Sequence, residues 1–327
     1  MSRPQALQAM PAEMPLPANP TGWYVIAMSD ELRPGRVLAR RNFGRELALF
    51  RTRDGRARVV DAYCPHMGAH LGHQGRVDGD DFVCTFHGLR YDGTGRCHAT
   101  PTGDPPPLAR LREHAIREQS GMILIWFDEH DRAPDWSVPA LEPAGFTQIA
   151  WRRFQFRGHP QETTENSVDF GHFLHVHGFP AASNAEAIRT EGPVLRAHYA
   201  IRRAFLKSLP RLALDVDFDV VVHGLGYSLV EAEAPQFGAR IRLFVLPIPR
   251  EAGRVDLVLG SAIAHPVKLF ARAFNAFAIR GLCSEVAQDI EVWEHKAHLP
   301  NPKLLKSEGA VAVYRRWCRQ FDPERAA

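Results

Sequence analysis

Four side chains that bind transition metals lie in two short and similar motifs. The first motif is Cys64-Pro-His66 and the second is Cys84-Thr-Phe-His87. Two thiolates and two imidazoles can hold a [2Fe–2S] cluster, with the cysteines on one iron and the histidines on the other. The same four donors could instead bind one structural zinc ion in tetrahedral geometry. Either way, the two motifs predict a metal site built from two loops.

The order of the four residues favours the iron–sulfur cluster. Each motif combines one cysteine with one histidine, whereas zinc fingers place the two cysteines together and the two histidines together. Gly68 and Gly72 follow the first motif and Gly88 follows the second, where the backbone must wrap closely around a sulfide-bridged cluster. The sequence therefore predicts a Rieske-type cluster, with zinc as the alternative, bound by Cys64, His66, Cys84 and His87.

A second group of metal-binding side chains lies at residues 165–177, where His172, His175 and His177 occur close together. Two histidines and one carboxylate typically hold a mononuclear Fe(II) on one face, which leaves positions open for oxygen and substrate. His172 and His177 are too far apart in sequence to be neighbours on one regular helical face. The spacing therefore predicts a helix that breaks or widens at the metal, for which a π-bulge is one route.

Two polar residues precede these histidines. Asn166, Asp169 and His172 are spaced three residues apart, which predicts that they share one side of a helix. An aspartate at this position can accept a hydrogen bond from the distal N–H of a liganding imidazole, which fixes its tautomer.

Taken together, Cys-x-His…Cys-x-x-His and Asn166-x-x-Asp169-x-x-His172-x4-His177 resemble the oxygenase component of the Rieske non-haem iron oxygenases. The resemblance implies a third iron ligand, an aspartate on a long C-terminal helix. Asp289 fits that position, and Glu285 and Glu291 are the alternatives. Segments 289–296, 301–302 and 314–321 are similar to the steroid-acting branch, which includes 3-ketosteroid 9α-hydroxylases and cholesterol 7-desaturases.

The resemblance also implies how the protein works. It implies a homotrimer in which Asp169, with Asn166 in the same motif, links His172 of one chain to His87 of the next. A separate ferredoxin or flavin-dependent reductase would supply electrons. With O2, the enzyme would hydroxylate or desaturate an apolar, polycyclic, steroid-like substrate.

Two other functions remain open. One is a hydroxylase or demethylase of a small aromatic or heterocyclic compound, in which Arg202 or Arg203 would pair with a substrate carboxylate. The other is a Rieske electron carrier with a lipid-binding domain and no catalytic metal.

The pattern of strands and helices predicts an α+β protein. An arm at 1–20 precedes an all-β Rieske domain at 21–130, a linker at 131–150 and an α+β catalytic domain at 151–327. Strands are predicted at 194–201, 214–222, 226–232, 240–247 and 254–264, followed by a helix at about 266–296. The resemblance implies a helix-grip (START-like) fold for this domain, with an antiparallel sheet. Six apolar side chains should lean on the sheet: Phe270, Phe274, Phe277, Leu282, Val286 and Ile290.

Composition excludes several classes of protein. The 327 residues are 45% hydrophobic and carry a net charge of +3 with both signs interspersed, which argues against nucleic-acid binding. The 5 cysteines show no regular spacing, so a disulfide framework is not expected and a reducing cytoplasm is. No secretory signal and no apolar run of about 18 residues occurs, so no transmembrane segment is predicted.

Overall fold

The computed structural model describes residues 16–143, 145–178, 181–184, 187–204, 213–234 and 238–324. Most of the predicted arm, up to residue 15, therefore lies outside the described residues. The side chains of Arg202 and Arg203 lie outside them as well.

The first part of the chain forms three small antiparallel sheets. Their orders are β1-β10-β9, β2-β3-β4 and β5-β6-β7-β8. The strands are β1 (Gly22–Met28), β2 (Val37–Asn42), β3 (Arg45–Arg51), β4 (Ala57–Asp61), β5 (Gly75–Asp78), β6 (Asp81–Cys84), β7 (Arg90–Tyr91), β8 (Cys97–Ala99), β9 (Ile116–Gln119) and β10 (Met122–Phe127), with helix α1 (Leu71–Gln74) before β5.

The core of this part rests on β1 and β10. Both strands are apolar along their whole length, and every residue in them is buried. They pair with each other and contribute side chains to two core clusters, one on each face. A strand that is buried on both faces needs no polar alternation. The two cysteine–histidine loops lie away from this centre, after β4 and after β6.

The second part of the chain is built on one antiparallel sheet and a long helix. The sheet order is β11-β18-β17-β16-β15-β14-β12, and β13 also pairs with β14. The elements are β11 (Ala150–Arg157), α2 (Pro160–Glu165), α3 (Gly171–His175), β12 (Ala181–Asn184), β13 (Arg189–Glu191), β14 (Val194–Ala204), β15 (Ala213–His223), β16 (Tyr227–Ala234), β17 (Ala239–Glu251), β18 (Arg254–Ala264), α4 (Lys268–His295) and α5 (Gly309–Cys318).

Helix α4 packs across β11 and β18, as the sequence predicts, and buries Ile279, Leu282 and Val286 against them. Two of the six predicted contacts are wrong. Phe270 is 62% exposed and Phe277 is 58% exposed. Both residues fall on the side of the helix opposite to Ala271 and Ile279, which face the sheet.

The five predicted strands occur as β14 to β18, most of them longer than predicted, whereas β11, β12 and β13 were not predicted. The predicted linker at 131–150 contributes Trp136, Val138 and Leu141 to a core cluster that contains side chains of both β1 and β17. In the described parts of the chain, no helix is both long enough and apolar enough to cross a bilayer.

Candidate metal centres

The two cysteine–histidine motifs form loops of the same construction. Four residues after each cysteine stands a glycine in the left-handed region, Gly68 with φ 74° and Gly88 with φ 70°. Gly68 donates its N–H to the Cys64 carbonyl at 2.9 Å, and Gly88 donates to the Cys84 carbonyl at 2.8 Å. A residue with a Cβ is strained in this backbone conformation, so these two glycines close the loops.

Within this pair of loops the cysteines lie inside and the histidines lie outside. Cys64 and Cys84 are buried, whereas His66 is exposed and His87 is partly exposed. The imidazole rings of His66 and His87 lie with centroids 4.8 Å apart. Burial, together with the neighbouring Cys64 sulfur, raises the pKa of the Cys84 thiol, so bound iron would supply the positive charge that keeps both sulfurs deprotonated. The arrangement fits a cluster with its sulfur-bound iron inside and its histidine-bound iron at the surface.

A tyrosine side chain reaches the inner half of this site. The Tyr91 hydroxyl lies 3.0 Å from the Cys64 sulfur, and both groups are buried. A hydrogen bond to a ligand sulfur stabilises the reduced, more negative cluster and raises its potential. No motif in the sequence marks Tyr91, and only its position close after the second motif, in β7, could have indicated its role.

Replacing Tyr91 with phenylalanine is expected to lower the reduction potential of the cluster. The loss should be roughly 40–80 mV, which corresponds to about 1–2 kcal/mol for a hydrogen bond to a charged group in a one-electron couple. Protein-film voltammetry measures the reduction potential of the cluster. Tyr63→Phe is the matched control, because the Tyr63 ring is exposed and packs on His70. Equal potentials in Tyr91→Phe and wild type would show that the hydroxyl does not tune the cluster.

A second set of donors comes together between α3 and α4. The ligating atoms of His172, His177 and Asp289 all lie within 4.8 Å of one another. The Asp289 carboxylate is 3.3 Å from Nε2 of His177, and the imidazole centroids are 5.1 Å apart. Two imidazoles and one carboxylate are the donor set of non-haem iron sites that leave one face open. The structure thus brings together three residues that the sequence analysis predicted as iron ligands.

Neither alternative to Asp289 joins this group. Glu285 lies one turn earlier on α4 and lines the same cavity. Glu291 is exposed, and its carbonyl accepts a hydrogen bond from His295.

The two imidazoles differ in their surroundings. Burial lowers the pKa of His172, despite the carboxylates of Asp289 and Asp169, and so favours the neutral form that binds metals. Burial opposes the charged form of His177 as well, but the hydrogen bond and charge of Asp289 outweigh it and raise its pKa. A bound divalent ion would replace that proton between His177 and Asp289.

The predicted single helical face through Asn166, Asp169 and His172 is wrong. Helix α2 ends at Glu165 and α3 begins at Gly171, with a turn between them. The Asp169 carboxylate accepts the Gly171 N–H at 3.1 Å, so it is occupied in starting α3. The break allows His172 on α3 and His177 beyond its end to face the same point.

The Nδ1 atom of His172 bonds to the backbone carbonyl of Asp169, and the Asp169 carboxylate stands 3.9 Å away. This bond orients the ring and leaves Nε2 for a metal. The Asp169 side chain is 34% exposed, whereas the side chains of His172, His177 and Asp289 are nearly buried. Asp169 therefore points toward the surface beside the metal site.

A cavity of about 140 Å³ lies beside the three candidate ligands, between α4 and the sheet. Apart from the ligands, Glu285 is the one charged residue among the described residues that line it, and neither Arg nor Lys is among them. Asn166 lines it too. Its apolar walls include Phe173, Phe218, Leu243, Val245, Val286 and Trp293.

A buried charge network fixes the start of this metal-binding segment. Glu162 on α2 contacts His298 and Lys296, and Glu165 accepts two hydrogen bonds from the Arg315 guanidinium at 2.6 and 2.9 Å. Burial would raise the pKa of Glu162, but the bonds from His298 and Lys296 outweigh it and lower the pKa to about 2. Helix α2 is thereby tied to the segments that follow α4. No sequence pattern predicts this network, although Glu165, Lys296 and Arg315 each lie in a segment that the resemblance singles out.

A histidine caps α2 at its N-terminus. His159 is buried, accepts the Gln161 N–H at its Nδ1 atom and bonds through Nε2 to the Pro17 carbonyl at 2.9 Å. Burial lowers the pKa of His159 to about 4. Because the unfolded chain binds this proton more readily, stability should fall as the pH falls from about 6.5 to about 4.

Replacing His159 with asparagine is expected to weaken this pH dependence. At pH 5 the buried imidazole lowers the free energy of unfolding by about 2 kcal/mol relative to neutral pH. Asparagine keeps a capping oxygen for Gln161 and does not titrate. Urea unfolding at pH 7.5 and pH 5 measures the difference, which should shrink in His159→Asn. An unchanged difference would mean that other groups cause the acid sensitivity.

Comparison with known proteins gives three results. Residues 22–114 match the Rieske [2Fe-2S] domain, and residues 125–321 match the 3-ketosteroid 9alpha-hydroxylase C-terminal domain. A cholesterol 7-desaturase of Ciona intestinalis is 30% identical and covers 94% of this chain and 70% of its own length. The oxygenase component of a 3-ketosteroid-9-alpha-monooxygenase of Rhodococcus rhodochrous is 28% identical over 92% of this chain and 80% of its own length. Among solved structures, dicamba monooxygenase bound to 3,6-dichlorosalicylic acid superposes with a TM-score of 0.77 at 19% identity, over 94% of this chain and 98% of that chain.

Proposed function

Because the chain belongs to the 3-ketosteroid 9α-hydroxylase family of Rieske oxygenases, we propose that this oxygenase component hydroxylates or desaturates a steroid-like substrate. Family membership confirms the predicted Rieske domain, the α+β catalytic domain and the two cofactors, a [2Fe–2S] cluster and a mononuclear iron. Family membership also excludes the alternative of a Rieske electron carrier without a catalytic metal.

The observation that carries the proposed substrate class is the character of the cavity beside the candidate iron ligands. A small aromatic acid would require a cation to pair with its carboxylate. Apart from the candidate ligands, the described lining contains apolar side chains, neutral polar side chains and Glu285, whose charge would repel such an acid. The apolar walls suit a neutral polycyclic molecule better than a carboxylic acid, and relatives named for action on 3-ketosteroids and cholesterol support the same choice.

The roles of the individual residues follow from their positions. Cys64, His66, Cys84 and His87 would hold the cluster, and His172, His177 and Asp289 would hold the iron. The bound iron would activate O2 for attack on a substrate C–H bond. The apolar walls would exclude water and determine which carbon faces the iron.

For electron transfer we assign Asp169 the role of a bridge between chains of a homotrimer. Its exposed carboxylate beside His172 could accept a hydrogen bond from an exposed imidazole of a neighbouring chain, and His66 and His87 are accessible at the tip of the Rieske loops. Asn166 would help to shape the cavity. A separate ferredoxin or flavin-dependent reductase would deliver the electrons in the cytoplasm.

Turnover of a substrate panel tests the proposal. Iron-reconstituted protein with a surrogate ferredoxin and reductase would receive cholesterol, 3-ketosteroids and small aromatic acids, with products identified by mass spectrometry. A steroid that gains one oxygen or loses two hydrogens is the expected product, and it separates hydroxylation from desaturation. The His172→Ala variant, which should lack the mononuclear iron, is the negative control. Turnover of aromatic acids alone would overturn the proposed substrate class.

A further inference from the structure

The cavity beside the candidate iron ligands contains a carboxylate that the proposed chemistry does not use. Glu285 lies on α4 one turn before Asp289, about 6 Å along the helix axis, so the two side chains lie on the same side of the helix. Glu285 is not one of the three residues grouped around the candidate metal position. It therefore lies where a substrate bound next to the iron would contact it.

The charge of Glu285 acts across the cavity, on a side chain of the sheet. Tyr199 on β14 is buried and lines the cavity together with Glu285. Burial raises the pKa of the Tyr199 hydroxyl, and the Glu285 charge raises it further. Leu282 and Val286, the neighbours of Glu285 on the same side of α4, are buried and line the cavity as well. The carboxylate thus belongs to the interior of the cavity.

The other polar side chains of the described lining do not distinguish an alcohol from a ketone. They carry hydroxyl or amide groups and are Thr163, Asn166, Ser167, Tyr199 and Ser228. Hydroxyls and amides both donate and accept hydrogen bonds, so they can bind an alcohol or a ketone alike. An ionised carboxylate only accepts. Glu285 can bind a substrate hydroxyl, whereas a ketone oxygen beside it would place two acceptors against each other.

We infer that Glu285 selects substrates that carry a hydroxyl group over ketones of the same ring skeleton. The hydroxyl would donate a hydrogen bond to the carboxylate while the apolar walls hold the rings, since a few polar groups commonly orient a ligand in an apolar pocket. A carboxylate has about four acceptor positions, so Glu285 can take this bond in addition to contacts with the protein. The inference deepens the proposed function, on which it rests only for the steroid-like ring system.

Binding of matched ligand pairs tests this inference without turnover. Androstanol and androstanone differ only in a hydroxyl or a ketone on the same ring carbon, and decalol and decalone are a two-ring pair of the same kind. Equilibrium dialysis against iron-reconstituted protein without a reductase, with ligand concentrations measured by mass spectrometry, gives each Kd. Wild type should bind each alcohol at least about tenfold more tightly than its ketone, because the alcohol forms a hydrogen bond to a charged group.

Two variants of α4 assign the preference to one side chain. Glu285→Gln keeps the shape of the side chain and adds a donor, so the preference for the alcohols should largely disappear. Glu291→Gln is the matched control, because it removes the same charge from an exposed position of the helix, and it should keep the wild-type preference. The readout is a ratio of two affinities, which a general weakening of binding leaves unchanged. Cluster absorbance shows whether each variant is folded.

Three results would overturn the inference. They are wild-type protein that binds each ketone as tightly as its alcohol, Glu285→Gln protein that keeps the wild-type preference, and wild-type protein that binds none of the four ligands. A preference for decalol that Glu285→Gln abolishes, without binding of either steroid, would support the role of Glu285 and contradict the steroid-like substrate of the proposed function. Equally tight binding of the two steroids would support that substrate class and contradict the role of Glu285.

Discussion

Replacing Asp169 with alanine is expected to abolish turnover while the cluster spectrum and the iron content stay nearly intact. The iron should remain because the His172 ring is held by the backbone carbonyl of residue 169, which the substitution keeps. Turnover should fall by at least about a hundredfold, because the proposed bridge between chains is lost.

The Asp169→Asn variant refines this test. Asparagine keeps an oxygen for the Gly171 N–H, so the start of α3 is preserved, but it removes the negative charge. Stopped-flow measurement of cluster reoxidation in the presence of substrate and oxygen reports the transfer step directly. Fast reoxidation and normal turnover in Asp169→Ala would defeat the bridging assignment.

The second large effect concerns the mononuclear iron. His172→Ala and Asp289→Ala should each reduce the iron content from about three to about two per chain, with loss of all measurable turnover. Each substitution leaves two protein donors at a site that needs three. The absorbance of the Rieske cluster should not change.

His175→Ala is the matched control for this pair. His175 lies on the same short helix, but it is exposed and does not belong to the group of three. Its replacement should leave iron content and turnover close to wild type. Loss of iron in His175→Ala, with retention in His172→Ala, would mean that the ligand assignment is wrong.

Local spacing in the sequence was enough to indicate both metal centres. Cys64, His66, Cys84 and His87 lie in two compact motifs, so each loop follows from its own few residues. Asp289 is far from the histidines in sequence and could be chosen only by resemblance. The structure places its carboxylate next to His177 because α4 crosses the sheet at that point.

Long-range packing decided what the sequence did not reveal. Helix α2, which ends just before the break, is held by ion pairs of Glu162 and Glu165 with residues near the C-terminus, and no local pattern encodes such pairs. Helical spacing alone placed Phe270 and Phe277 against the sheet, because periodicity identifies a face without indicating which way that face points. The packing of α4 against β18 leaves these two phenylalanines exposed.

Mixed oligomers test the central claim most directly, namely that electrons pass from the cluster of one chain to the iron of another. His87→Ala chains, which would lack the cluster, and His172→Ala chains, which would lack the iron, should each be inactive alone. Co-expressed with different tags and purified as mixed assemblies, they are predicted to recover turnover, because about one in three interfaces of a mixed trimer would pair an intact cluster with an intact iron site. Mixed assemblies no more active than either parent, with each variant retaining its remaining metal centre, would contradict the account.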